Sequence, residues 1–259
     1  MAYRVQVVPK KKRRTMQQGR TRKAPYGLQV IEGCLACPLV KERIFCDLPQ
    51  SVLAELDEIS SPSTYPRDAI LFVEGQEPRG VFVICSGRVK LSTSSSDGKS
   101  IIVRVAEPGE VVGLPGTISG KPYELTAEAL EPLQTNFIPR EAFMHFVRQR
   151  GEVAVRIAEI LSLIYQASLS EVRYLGLSVS TAEKLARFLL DLPAHPTQDN
   201  GQVRATLALT HEEIAQMIGA SRETVTRLFA DFKKKQLLQV KGSTLIIKNK
   251  VGLQQLVET

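Results

Sequence analysis

Long apolar runs are missing from this sequence: no stretch approaches the roughly 18 to 20 residues that a bilayer-spanning helix requires. A membrane protein of the helical kind is therefore not expected. The basic N-terminus has no apolar stretch behind it, so a secretory leader is not expected either, and the cytoplasm is the expected compartment. Histidine is scarce. His145, His195 and His211 are scattered, and no nucleophile-base motif accompanies them, so the sequence reads as a non-enzyme. Four cysteines in a 259-residue chain do not make a disulfide framework.

Charge is present but unevenly placed. Residues 1–23 hold nine Lys or Arg and no Asp or Glu. Residues 24–176 carry 14 basic and 19 acidic residues, and residues 177–259 carry 11 basic and 8 acidic. A basic tail and a basic C-terminal third thus flank an acidic middle. That asymmetry suits contact with a polyanion and implies salt-sensitive association. Residues 1–30, with Lys10-Lys11-Lys12-Arg13-Arg14, read as a disordered tail, either simply solvated or a phosphate-contacting arm.

Hydrophobic periodicity divides the rest. Residues 51–60 repeat Leu53, Leu56 and Ile59 at helical spacing. From Ala69 to Pro139, short β-rich runs alternate with Gly-containing turns about every ten residues, which predicts an all-β sandwich or barrel. Asp97-Gly98 predicts a type I′ hairpin turn, in which both central residues have positive φ. Residues 152–175 return to helical period. Val153, Ile157, Ile160, Leu161, Ile164 and Ala167 form a narrow apolar stripe, read either as a coiled-coil dimer seam or as a face packed on its own domain. A further helix is expected over 181–192, followed by a loop over 193–202.

Residues 210–235 are the most specific. Thr210 with Glu213 forms a capping box, Ile214, Ala215 and Ile218 point inward, and Gly219 suits a left-handed helix exit. Ser221 caps a second helix that buries Val225, Leu228, Phe229 and Phe232. Two short helices joined by a glycine turn make a helix-turn-helix. The outer side of the second helix offers Arg222, Glu223, Thr226 and Arg227. Arginine can fork onto the O6 and N7 acceptors of guanine, and glutamate can accept from the cytosine amino group. The alternative is a salt-bridged solvent face. Lys233-Lys234-Lys235 follows, then a predicted hairpin, 237–240 and 244–248, with Lys241 at its tip. This is the position of the wing in a winged helix.

These segments resemble the bacterial Crp/Fnr family, that of the cyclic-AMP receptor protein and the fumarate-nitrate reduction regulator. The likeness runs over residues 33–255. It includes Phe72-Val73-Glu74-Gly75, Ser86-Gly87-Arg88-Val89, Pro108-Gly109-Glu110 and above all Ser221-Arg222-Glu223-Thr224-Val225-Thr226-Arg227. It implies an α+β chain: a jelly-roll, cyclic-nucleotide-binding-like β-domain, a long dimerisation helix and a C-terminal winged helix-turn-helix. The expected bounds are 1–30 for the tail, 31–150 for the Cys-containing segment and sensor, 151–176 for the dimerisation helix, and 177–259 for the DNA-binding domain. The expected function is a homodimeric transcription regulator of the Crp/Fnr type that reads a palindromic double-stranded DNA operator, with half-sites of the TGTGA type, and contacts RNA polymerase. Ser221, Arg222, Glu223, Thr224, Thr226, Arg227, Lys233 and Lys241 are the expected DNA contacts, and Val153, Ile157, Ile160, Leu161 and Ile164 the expected dimer seam. The other reading is a cyclic-nucleotide-binding regulatory protein whose output is not DNA binding.

Two departures from the family pattern concern the sensor. Tyr123-Glu124-Leu125-Thr126-Ala127 lacks the Arg-Ser pair that meets a cyclic-nucleotide phosphate, and Glu124 would repel that phosphate. Cyclic AMP is not expected. Cys34, Cys37 and Cys46 follow the spacing Cys-x₂-Cys-x₈-Cys, near where oxygen-sensing relatives hold an iron–sulfur cluster. The relatives' distant fourth cysteine falls here near Asn136, a poor ligand, and Cys85 reads as a small packed residue of an apolar strand. An iron–sulfur cluster, zinc with mixed ligands, thiol redox chemistry and purely structural thiols all remain open at this point.

Overall fold

The computed structural model describes residues 25–28, 30–31, 33–37, 40–176, 180–192, 194–196, 203–207, 209–242 and 244–257. The basic tail expected over 1–30 lies outside the described residues except near its end, where Pro25–Gly27 forms a turn. The chain makes two compact units, one largely from residues up to 166 and the other largely from 167 onward.

The first unit opens with helix α1 (Gln50–Ile59) and strands β1 (Ser61–Tyr65), β2 (Ile70–Phe72), β3 (Gly80–Ser86), β4 (Val89–Ser94), β5 (Ser100–Ala106) and β6 (Val111–Val112). Helix α2 (Leu114–Ser119), strands β7 (Thr126–Ala129) and β8 (Leu133–Pro139), helix α3 (Arg140–Gln149) and the long helix α4 (Gly151–Gly176) follow. The strands form two four-stranded sheets, ordered β1-β8-β3-β6 and β2-β7-β4-β5. This is the expected β-sandwich, although it starts at Ser61 rather than Ala69.

Strand β3 shows how the sandwich is built. Successive side chains of a strand point to opposite faces. Phe82 and Ile84 join the core between the sheets, while Val81 and Val83 join a second core with helices α1, α3 and α4. Gly80 sits where β3 passes closest to β8: a Cβ there would lie 2.1 Å from the Ile138 carbonyl oxygen. The β4–β5 connection differs from expectation. It spans five residues between Ser94 and Ser100, and only Gly98 has positive φ, 82°. A longer loop with one left-handed glycine replaces the two-residue type I′ turn.

Helix α4 packs the residues of the expected dimer seam inward. Val153, Ile157 and Ile160 are 0%, 4% and 8% exposed and pack into their own unit, with Leu161 and Ile164 partly buried against the same core. A second stripe faces solvent: Val155, Ala158, Ser162, Tyr165 and Leu169. Its spacing of three and four residues is that of a coiled-coil a/d seam. The helix therefore carries two apolar faces, one inner and one outer.

The second unit contains α5 (Thr181–Asp191), β9 (Ala194–Pro196), β10 (Val203–Thr206), α6 (His211–Ile218), α7 (Arg222–Lys234), β11 (Leu238–Lys241), β12 (Thr244–Ile247) and α8 (Lys250–Gln255). Its strands make one sheet, ordered β11-β12-β10-β9. Residues 194–196, expected within a loop, pair with β10 instead. Backbone hydrogen bonding decides such short strands more than side-chain pattern does. The core gathers Leu185, Leu189, Ile214, Val225, Phe229 and Phe232. No helix among the described residues is long and apolar enough to cross a membrane.

Candidate functional site

Helices α6 and α7 form the helix-turn-helix that the sequence predicts. Thr210 accepts from the Glu213 N–H at 3.2 Å, and the Glu213 carboxylate accepts from the Thr210 N–H at 2.7 Å. This reciprocal cap satisfies two amides that a helix start leaves unpaired. Gly219 ends α6 with φ 63°. The Ser221 hydroxyl then accepts from the Thr224 N–H at 3.2 Å and opens α7. Val225, Phe229 and Phe232 anchor α7 in the core. Ser221, Arg222, Glu223, Thr226, Arg227 and Lys233 are exposed, and Thr224 is half-buried. Lys241 is exposed at the tip of the β11–β12 hairpin.

The salt-bridged alternative for this face is not what forms. Lys235 pairs with Asp231 at 2.9 Å, but Arg222, Glu223 and Arg227 make no ion pair among the described residues. Glu223 is held below the usual carboxylate range by its own backbone N–H, then by the Ser221 hydroxyl and the Arg222 charge. It is therefore ionised and an acceptor at neutral pH. Thr226 is less free than the sequence implied. Its hydroxyl donates to the Arg222 carbonyl at 2.9 Å and meets His211 Nδ1 at 2.9 Å.

His211 also stacks on Phe229, with ring centroids 4.8 Å apart. Burial lowers its pKa from the usual 6.5, and the Lys233 and Arg222 charges lower it further. A histidine depressed in the folded state adds stability above the unfolded-state pKa, and that stability is lost as pH falls through the folded-state value. NMR titration of the free protein should give His211 an apparent pKa below 6.5. Stability should decline on acidification below that pH, and His211→Gln should reduce the decline. An unshifted His211 titration would contradict the packing described.

Two small cavities lie in the sensor unit among the described residues. One, of about 80 Å³, is lined by Phe72, Arg104, Gly113, Tyr123, Glu124 and Ile164 among others. A second cavity of about 160 Å³ shares the Phe72 and Tyr123 wall. Small-molecule sites usually measure about 300 Å³ or more. Tyr123 is the plug: it stacks on Phe72 at 4.0 Å, and its hydroxyl donates to the Gly80 carbonyl at 2.6 Å. Arg104 is paired with Glu110.

The cysteines differ from expectation. Cys34, Cys46 and Cys85 are buried and Cys37 is half-buried. Cys85 is not remote from the others. Its sulfur is close enough to those of Cys46 and Cys37 for their charges to oppose its ionisation, and Cys34 is coupled to Cys46 and Cys85 in the same way. Burial pushes the Cys46 thiol up to about 11 and the Cys85 thiol up to about 12. Asp57 anchors the turn that carries Cys34 and Cys37, accepting from the Cys34 N–H at 2.7 Å. As placed, no three His, Cys, Asp or Glu among the described residues form a group for a metal ion. The sequence gives no direct sign of this proximity, because nothing in it says that Cys34, Phe45 and Cys46 pack in one core with Val81 and Val83 of β3. The parity of Cys85 with Val81 and Val83 was the available signal.

Comparison with known proteins agrees with both units. A model of the cyclic nucleotide-binding domain matches residues 62–150, and one of the Crp-like helix-turn-helix domain matches residues 183–256. The CRP-like cAMP-activated global transcriptional regulator of Mycobacterium tuberculosis is 27% identical over 210 residues, covering 81% of this chain and 93% of that protein. The fumarate and nitrate reduction regulatory protein of Vibrio cholerae is 28% identical over 225 residues, covering 86% of this chain and 89% of that one. FixK2 from Bradyrhizobium japonicum shares the fold, with a TM-score of 0.67 at 22% identity over 76% of this chain and 97% of its own. With both domains in this order on one chain, and a capped helix-turn-helix followed by a β-hairpin in the second, the protein belongs to the Crp/Fnr family of DNA-binding transcription regulators.

Proposed function

We propose that the protein works as a homodimer that reads a palindromic operator by inserting the N-terminal turns of α7 into the major groove. The supporting observation is the exposed set Arg222, Glu223 and Arg227, not locked together by ion pairs among the described residues, on a helix fixed by a cap and three buried aromatic or branched anchors. Arg222 and Arg227 take guanine edges and Glu223 takes a cytosine amino group. Ser221 and Thr224 shape the helix start, and Thr226 lends its outer surface. Lys233 and the wing residue Lys241 meet phosphates. RNA polymerase is the expected protein partner, and the DNA partner places the protein in the cytoplasm. Functional boundaries follow at 1–30, 31–150, 151–176 and 177–259. The dimer is built along the outer stripe of α4.

Binding assays on operator and random duplexes test the base-reading assignment. Arg222→Ala or Arg227→Ala should each cost about 1–3 kcal/mol on the operator and relax specificity at one base pair. Lys233→Ala or Lys241→Ala should weaken both duplexes alike and flatten the salt dependence. Equal losses on both duplexes for the arginine variants would sink the assignment.

The signal sensed is not cyclic AMP in this reading, although the Mycobacterium tuberculosis relative is named as cAMP-activated. Support comes from the Tyr123 plug, the Glu124 carboxylate and the engaged Arg104. The sensor input is a metal group, an iron–sulfur cluster or zinc, held through Cys34, Cys37 and Cys46. The thiols' soft donors suit either. The residues fit such a group in kind: all three are sulfur donors, Cys34 and Cys46 buried and Cys37 half-buried. Bound there, the group would supply a redox- or metal-dependent link between the N-terminal segment and the sandwich.

A further inference from the structure

We infer that Cys85 supplies the fourth thiolate of an iron–sulfur cluster site with Cys34, Cys37 and Cys46, taken from strand β3 rather than from the Asn136 position on β8. This rests on the metal-group reading of the N-terminal cysteines and adds the residue that completes it.

Several independent observations converge on Cys85. The chain has four cysteines in all, and the fold brings every one to the same region. Cys85 shares strand parity with Val81 and Val83, which face the core that holds Cys34 and Cys46. It also sits at an irregularity. Ile84 pairs with Thr135 and Ser86 with Gln134, so β3 fits two steps against one of β8 and Cys85 is the extra residue. A bulge of this kind re-aims a side chain and is common beside functional sites.

Asn136 links the two sides of the site. Its Nδ2 donates to the Cys34 sulfur at 3.5 Å, and its backbone N–H points at the Cys85 sulfur. Hydrogen bonds to ligating sulfur are a normal outer layer of such clusters. Asn136 is therefore a donor to the ligands and not a ligand itself.

The donor set favours a cluster over a single ion. Tetrahedral zinc needs four sulfurs each about 2.3 Å from one point, and the thiols do not converge in that way. In a cubane cluster each thiolate binds a different iron, so the sulfurs stand farther apart. Among its described residues, the segment bearing three of them has short turns and no long helix between Cys34 and Leu48.

The test uses the full chain, isolated without oxygen and incubated with sulfide and a mixture of ferrous and ferric iron, the ferric iron supplying the oxidised half of a mixed-valence cluster. Iron, acid-labile sulfide and visible absorption are then measured. The wild type should bind iron and sulfide in equal amounts, about four of each per chain for a cubane cluster. Cys85→Ser and Cys85→Ala should lose that stoichiometric iron, as Cys34→Ser, Cys37→Ser and Cys46→Ser do, whereas Asn136→Ala should keep it. Circular dichroism of the metal-free variants checks that each is folded. Full iron and an unchanged spectrum in folded Cys85 variants would overturn the assignment and leave the metal-group reading intact. A wild type that holds zinc alone, or nothing, would overturn the cluster itself.

Discussion

Tyr165→Glu should leave the protein monomeric at micromolar concentration and cut operator affinity by roughly 10²–10⁴-fold, the gain that joining two binding modules normally brings. Tyr165 is 63% exposed, in line with Val155 at 61% and Leu169 at 41%. Spaced as 155, 158, 162, 165 and 169, these positions make a seam that a symmetry mate can cover. A carboxylate at its middle would face its own copy across the two-fold axis. Sedimentation and binding to one-half-site and two-half-site duplexes measure the effect. The inner stripe provides the contrast. Ile157→Ala should cost about 2–5 kcal/mol of sensor stability, because Ile157 is 4% exposed within its own core, yet it should leave the dimer assembled. The opposite pattern, with Ile157→Ala dissociating the dimer and Tyr165→Glu not, would return the seam to the inner stripe.

Phe229→Ala should destabilise the DNA-binding unit by about 3–5 kcal/mol, a large share of the roughly 5–15 kcal/mol that holds a typical domain together. Phe229 is 1% exposed, lies at the centre of the second unit's core and carries the stacked His211 ring. Its loss leaves a cavity and frees the imidazole. Denaturant unfolding should show a lower midpoint with an unchanged slope, and the His211 titration should move back up toward 6.5. Operator binding should fall because α7 no longer holds its angle, even though no DNA-facing side chain has changed. Phe229→Leu should be much milder, since it keeps most of the volume. A midpoint shift in Phe229→Ala no larger than that of an exposed substitution would mean that this core does not set the helix.

Much of the protein was legible without coordinates because its signals are local. The capping box at Thr210 and Glu213, the left-handed exit at Gly219 and the Ser221 cap each depend on residues within four positions of one another. The same holds for the alternation along β3. Backbone chemistry at that range leaves little choice, so the helix-turn-helix and the β-sandwich could be read directly.

What the tertiary structure decided is which surface meets which. The sequence of α4 holds two apolar stripes, and only packing on the sandwich shows that Val153, Ile157 and Ile160 are spent inward while Val155, Tyr165 and Leu169 remain outside. Residues 194–196 became a strand because β10 offered an open edge. Tyr123 found its partner by reaching across to the Gly80 carbonyl, 43 residues earlier in the chain. Cys85 lies 39 residues from Cys46, and no local rule connects them. A strand bulge and the path of residues 33–48 bring them together, because long-range proximity is fixed by how cores fill and not by the spacing of residues along the chain.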